Sequence, residues 1–131
     1  MPERSSFDYA VIRIVPRVDR EEFLNAGVIL FCKARGFLRA QVAFDESRLR
    51  ALWPQLALEE VREHLEAIPK VCLGGREAGP IGLLSARERF QWLVSPRSTV
   101  IQFSAVHSGL CDTPEQALEH LFQRLVAMPA G

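Results

Sequence analysis

The sequence has no apolar run near the roughly 20 residues of a membrane-spanning helix. Its longest, Ala26 to Cys32, has the length of a strand. It has no surplus of either charge, with 16 basic residues against 16 acidic ones. A chain held to nucleic acid mainly by counterion release is expected to be basic, and attachment to anionic lipid calls for a polybasic segment. Neither is expected here. Cysteine is scarce: Cys32, Cys72 and Cys111 are odd in number and widely spaced, with no CxxC pair or zinc-finger pattern. Three free, buried thiols in a reducing compartment are expected. Met1 to Asp8 is polar and lacks the apolar core of a signal peptide, so a cytoplasmic location is expected. The sequence also lacks a P-loop, a GxGxxG, an HExxH and a GxSxG. Gly74-Gly75 is not followed by the Lys-Ser/Thr of a phosphate loop. No metal and no cofactor is predicted.

What is present is apolar content: 48% hydrophobic residues in 131, enough for one core without disulfides or a structural metal. With no repeat and no dividing linker, residues 1–131 read as a single domain.

Phe7 to Val15 reads as a strand apolar on both faces, hence central, with Arg13 on the face of Val11 and Val15. Asp19 to Asn25 has the spacing of a short capped turn. Ala26–Cys32 and Phe37–Phe44 read as a hairpin joined through Gly36. Asp45 caps a helix carrying Leu49, Leu52 and Trp53. Leu58, Val61, Leu65 and Ile68 mark a second helix, expected to stop at Pro69. The Gly- and Pro-rich stretch Pro69–Leu84 reads as a long loop, a flap or plain surface. Ser85 and Glu88 open a short helix over Ala86–Val94. Val100–Phe103 reads as a fourth strand and Ser104–Asp112 as a loop. Thr113-Pro114 starts the last helix, with Leu118, Leu121, Phe122, Leu125 and Val126 on one stripe. The fold expected is α+β, a four-stranded, mainly antiparallel sheet with helices packed on one face.

Two segments stand out. One is Tyr9-Ala-Val-Ile-Arg13-Ile-Val-Pro16, continuing through Arg20, Glu22, Asn25 and Gly27 to Val28. The other is Arg89-Phe90-Gln-Trp92-Leu93, Pro96-Arg97-Ser98-Thr99 and His107-Ser-Gly109, closing on Leu121-Phe122. Together they resemble the bacterial family catalogued as domain of unknown function 3037, over roughly Asp8 to Val126. The resemblance implies a small, stand-alone bacterial cytoplasmic protein, and a partner role beside HipA-like kinases. It implies no activity.

Two polar sets are candidate sites. Arg97, Ser98, Thr99 and His107 flank the fourth strand: an arginine and two hydroxyls suit phosphate or carboxylate, and a histidine transfers protons near neutrality. The alternative is that Ser98 and Thr99 satisfy turn backbone, Arg97 makes a surface ion pair and His107 caps a loop carbonyl. Arg13, Glu22 and Asn25 form the second set. Arg13 on an apolar face needs a partner, and Glu22 is the expected one, as a structural ion pair or as part of a site. A common cleft beside Pro69–Leu84 would unite both sets. His64 and His120 read as solvated, Trp53 and Trp92 as core.

Three functions follow in order. The first is a binding or accessory module acting with a protein partner, a HipA-like kinase by the resemblance. The second is a small enzyme or binder for a phosphate-bearing or nucleotide ligand, with Arg97 as clamp and His107 as acid or base. The third is nucleic-acid binding by Arg35, Arg39, Arg48 and Arg50.

Overall fold

A computed structural model describes residues 4–97 and 99–127. Its centre is strand β1 (Ser5–Ile14), which pairs antiparallel with β2 (Leu24–Cys32) on one side. β2 turns through Gly36, in the left-handed region at φ 58°, into β3 (Phe37–Val42). Glycine takes that conformation without the steric cost a Cβ would bring. On its other side β1 pairs with β4 (Ile101–Phe103) near its end and with β5 (His107–Cys111) near its start. The sheet order is β3-β2-β1-β4, with β5 in line beyond β4. The result is an antiparallel, α+β sheet of four ranks whose last rank is broken in two.

The break is a bulge, and it falls where a loop was expected from Ser104 to Asp112. Ile101 and Phe103 lie opposite Ile14 and Ile12, whereas His107, Gly109 and Cys111 lie opposite Tyr9, Phe7 and Ser5. One extra residue therefore turns the odd-numbered side chains from one face of the sheet to the other. Ser104 holds the junction. Its amide donates to Val11 O at 2.9 Å and its Oγ accepts from Val11 N at 2.8 Å.

The helices are α1 (Glu46–Leu52), α2 (Leu58–Leu73), α3 (Ala86–Val94) and α4 (Pro114–Leu125). Asp45 Oδ1 caps α1 by accepting from Arg48 N, and Ser85 with Glu88 closes a capping box on α3. α2 runs through Pro69 rather than stopping there. Proline removes one helical donor and does not by itself end a helix. The turn beyond it is held from outside by Arg89, whose Nη1 donates to Val71 O and Cys72 O while its Nε donates to Leu84 O. The stretch expected as a loose loop is thus mostly ordered, ending in two short 3-10 turns at Arg76–Ala78 and Pro80–Leu83.

Helices were expected on one face only, and here the fold differs. Ile12, Ile14, Ile29, Phe31 and Leu38 form one core with Leu49, Val61, Leu65, Ile68, Phe90 and Leu93 of α1, α2 and α3. Phe7, Val28, Leu30, Cys32 and Phe37 form a second core with Leu118, Leu121 and Phe122 of α4. The cause is in β2, an apolar run with both pleat faces fully buried, which needs cover on both sides.

Candidate functional site

Several residues of the two signature segments act on the fold itself. Asn25 Nδ2 donates to Leu125 O at 3.0 Å, tying the end of α4 to β2. Gly27 lets β3 approach, because a Cβ there would sit 2.7 Å from Gln41 O. Arg89 closes the end of α2 as described.

A cleft of about 260 Å³ opens between α2, α3 and β4. Ile68, Val71, Leu93, Ile101 and Phe103 make its apolar floor and walls. His64, Trp92, Arg97 and Thr99 stand around it, all exposed. Trp92 keeps 40% of its surface in solvent. The Arg97 guanidinium lies 4.2 Å over the Trp92 ring and donates to Trp92 O. The ring contact and the backbone acceptor position the guanidinium without neutralising its charge. No carboxylate pairs with it among the described residues. A second depression, lined by Val94, Pro96 and residues 102–106, adjoins on the far side of Arg97 and Phe103.

The sequence pointed to Arg97 and Thr99, and both line the cleft; Ser98 lies outside the described residues. Thr99 Oγ1 donates to Ile101 O at 2.6 Å, so its hydroxyl is spent on the turn. His107 does not join them. It lies on β5 opposite Tyr9, its ring tilted against that one with centroids 5.4 Å apart, on the α4 side of the sheet. The bulge at Ser104 is the physical reason: it sends Phe103 toward the cleft and His107 away from it. Two residues of the cleft were read otherwise from the sequence. His64 stands one helical turn before Ile68 and two before Val71, so their shared stripe was the available signal. Trp92, expected in the core, lies at the edge of the inward face set by Phe90 and Leu93.

The second polar set is split differently. Arg13 and Asn25 are direct cross-strand partners at a bulge where Ala26 is the extra residue. Glu22 is turned to Arg20, with Arg20 Nε to Glu22 Oε1 at 2.6 Å. Arg13 instead lies over the Phe23 ring, 4.2 Å from its centroid. The expected Arg13–Glu22 ion pair does not form, because β2 starts at Leu24 and leaves Glu22 outside the sheet, paired locally. Arg13 Nε and Asn25 Oδ1 are buried without a hydrogen-bond partner. Such an atom costs about 1–3 kcal/mol each, so the pair is an unfinished network. The single cleft that was to unite Arg13, Glu22, Arg97 and His107 is absent.

All three cysteines are buried and free. Burial pushes the Cys72 thiol up to about 12, and burial with the neighbouring Cys32 thiol raises Cys111. Neither is a nucleophile at neutral pH. No group of three metal-ligating side chains occurs among the described residues. Of the arginines expected as a nucleic-acid strip, Arg50 is paired with Glu46 at 2.6 Å and Arg39 lies over Phe37. No helix is long and apolar enough to cross a membrane among the described residues.

No curated protein and no solved structure matches the chain. Residues 9–126 match the family model described as protein of unknown function DUF3037. That span takes in both signature segments and every helix and strand but the first residues of β1, and the chain belongs to this family.

Proposed function

We propose that the protein is a binding module whose α2–α3–β4 cleft receives an apolar side chain, flanked by an acidic one, from an extended segment of a protein partner. The observation that carries this is the Arg97 guanidinium, without a carboxylate partner among the described residues, held over an exposed Trp92 at the mouth of an apolar hollow. Exposed tryptophan and arginine beside a pocket are the residue types that dominate association energy. The floor supplies burial for one side chain, and Arg97 supplies an anion partner. β4 ends the sheet beside the cleft, so the backbone groups of Phe103 and the N–H of Ile101 facing away from β1 are available to an added strand, while the Ile101 carbonyl is held by Thr99.

The same arrangement argues against an acid–base enzyme at this place, since His107 is on the other face and, among the described residues, no nucleophile–base pair lines the cleft. As partner we propose the HipA-like kinase that the signature resemblance suggests. Its binding would be measured by calorimetry with the purified kinase. Arg97→Ala and Val71→Arg, the latter filling the hollow, are each expected to weaken association tenfold or more, roughly 1.4 kcal/mol. Unchanged affinity in both variants removes the cleft from the interaction. No association with the kinase removes this partner.

A further inference from the structure

The two margins of the sheet are built differently. β3, on one side, carries the exposed Arg39. A charge on an edge strand keeps it from pairing with another chain. The other margin has no such guard. From Val100 to Cys111 there is no Asp, Glu, Lys or Arg. Val106 and Leu110 instead keep 44% and 64% of their surface in solvent. Among the described residues, no strand pairs with the outer side of β5.

The hydrogen bonds beside it fix which β5 groups face out. Val15 N donates to Val100 O, and Val11 O accepts from Ser104 N. The odd-numbered residues of β1 therefore turn their backbone groups to this side. Their partners His107, Gly109 and Cys111 face inward to meet them. By alternation, Ser108 and Leu110 point their amides and carbonyls outward, and the Val106 carbonyl does the same.

Those outward groups complement themselves. With a two-fold axis through Ser108, the Ser108 amide of each copy meets the Ser108 carbonyl of the other, and each Leu110 amide meets the other copy's Val106 carbonyl. The exposed Val106 and Leu110 side chains then lie opposite each other on both sides of the axis. On the other face the exposed His107 lies opposite Gly109 of the second copy. Gly109 has no side chain to obstruct it, because the Phe7 ring stands 2.7 Å from where a Cβ would be. A ring facing an edge glycine across strands is a favourable pair. An uncharged margin offers a foreign chain no charge pattern to recognise, whereas this register gives each exposed aliphatic side chain an aliphatic partner from the same sequence. We infer that β5 is a homodimer junction, joining two copies edge to edge in one continuous antiparallel sheet.

The test is sedimentation equilibrium of the full chain over a range of concentrations. A junction of one strand per copy is small among protein interfaces, so assembly is expected at about 10–100 µM. The mass should rise from 14.8 kDa to twice that and no further, because a two-fold junction closes on itself. Amide exchange at Ser108 and Leu110 should slow as concentration rises, while His107 and Gly109, which already face β1, stay unchanged. Leu110→Lys and Val106→Glu, both at exposed positions outside the two cores, should each weaken the dimer about tenfold or more. The double variant should recover it, since the new charges are opposite in sign and lie across the axis from each other. A monomer at every concentration, growth beyond the dimer, or a double variant that associates no better than the single ones overturns the inference. Failure here leaves the Arg97 cleft untouched, since the two sites share no residue.

Discussion

Ser104 Oγ accepts the hydrogen bond of Val11 N at 2.8 Å, in the place where a straight fourth strand would offer a carbonyl. The same hydroxyl donates to Ala105 O at 2.9 Å, so one buried side chain completes the ladder at its break. Ser104→Ala leaves the Val11 amide without a partner. The expected loss is about 1–3 kcal/mol in urea-induced unfolding, with an unchanged slope. A loss below a few tenths of a kcal/mol would mean that water serves Val11 equally well.

Arg89 spans the end of α2 by donating to Val71 O, Cys72 O and Leu84 O. Arg89→Ala should cost about 2–3 kcal/mol, the range for charge-assisted bonds whose acceptors are left unmet. Hydrogen exchange would show where. The amides of Gly82 and Leu84, bonded within that turn, and of the last turn of α2 should lose protection first, before those of the sheet.

Gly27 and Gly36 predict opposite kinds of damage. A Cβ at Gly27 meets Gln41 O at 2.7 Å, Val42 Cγ1 at 2.9 Å and Ile12 Cδ1 at 3.0 Å. Gly27→Ala should therefore cost about 1–3 kcal/mol by pushing β3 from β2. At Gly36 nothing lies within 4 Å, and only its φ of 58° resists a side chain. Gly36→Ala should cost about 1 kcal/mol, and Gly36→Asn less than Gly36→Ala. The comparison of the three by thermal unfolding checks the assignment.

Cys72 gives a pH prediction. Its thiol sits at about 12 in the fold against 9.0 when solvated. Between those values the unfolded chain has lost a proton that the folded chain keeps. Unfolding then releases a proton, so stability falls as pH rises above 9, by about 1.4 kcal/mol per pH unit from this group. Cys72→Ala should flatten that slope. A thiol reagent at pH 8 should leave Cys72 unmodified until denaturant is added.

Much of this architecture was legible because it is local. The Asp45 cap, the Ser85–Glu88 box and the Gly36 turn depend on neighbours within four residues, and each has a distinct residue signature. The features that were not legible depend on distant partners. α2 passes Pro69 because Arg89, 20 positions later, holds its last turn. His107 leaves Arg97 because a serine hydroxyl replaces a carbonyl at the bulge, and a polar residue between two strand-like stretches reads equally as a loop. Arg13 finds Phe23 rather than Glu22 because Ala26 is an extra residue in β2, a shift that no pattern of alternation reveals. The second core was written plainly in Ala26–Cys32, whose unbroken apolar run implies cover on both sides.

Strand β1 precedes every other strand of the sheet, yet one of its two hydrogen-bonding sides is met only by residues from Val100 on. During synthesis on the ribosome, β1 and its hairpin mates emerge long before that closing rank exists. For most of that time β1 offers an uncovered, largely apolar margin to any neighbouring chain. Truncations ending between α2 and β4 should therefore clump in the cell, and completion of the sheet must wait for the residues from Val100 on.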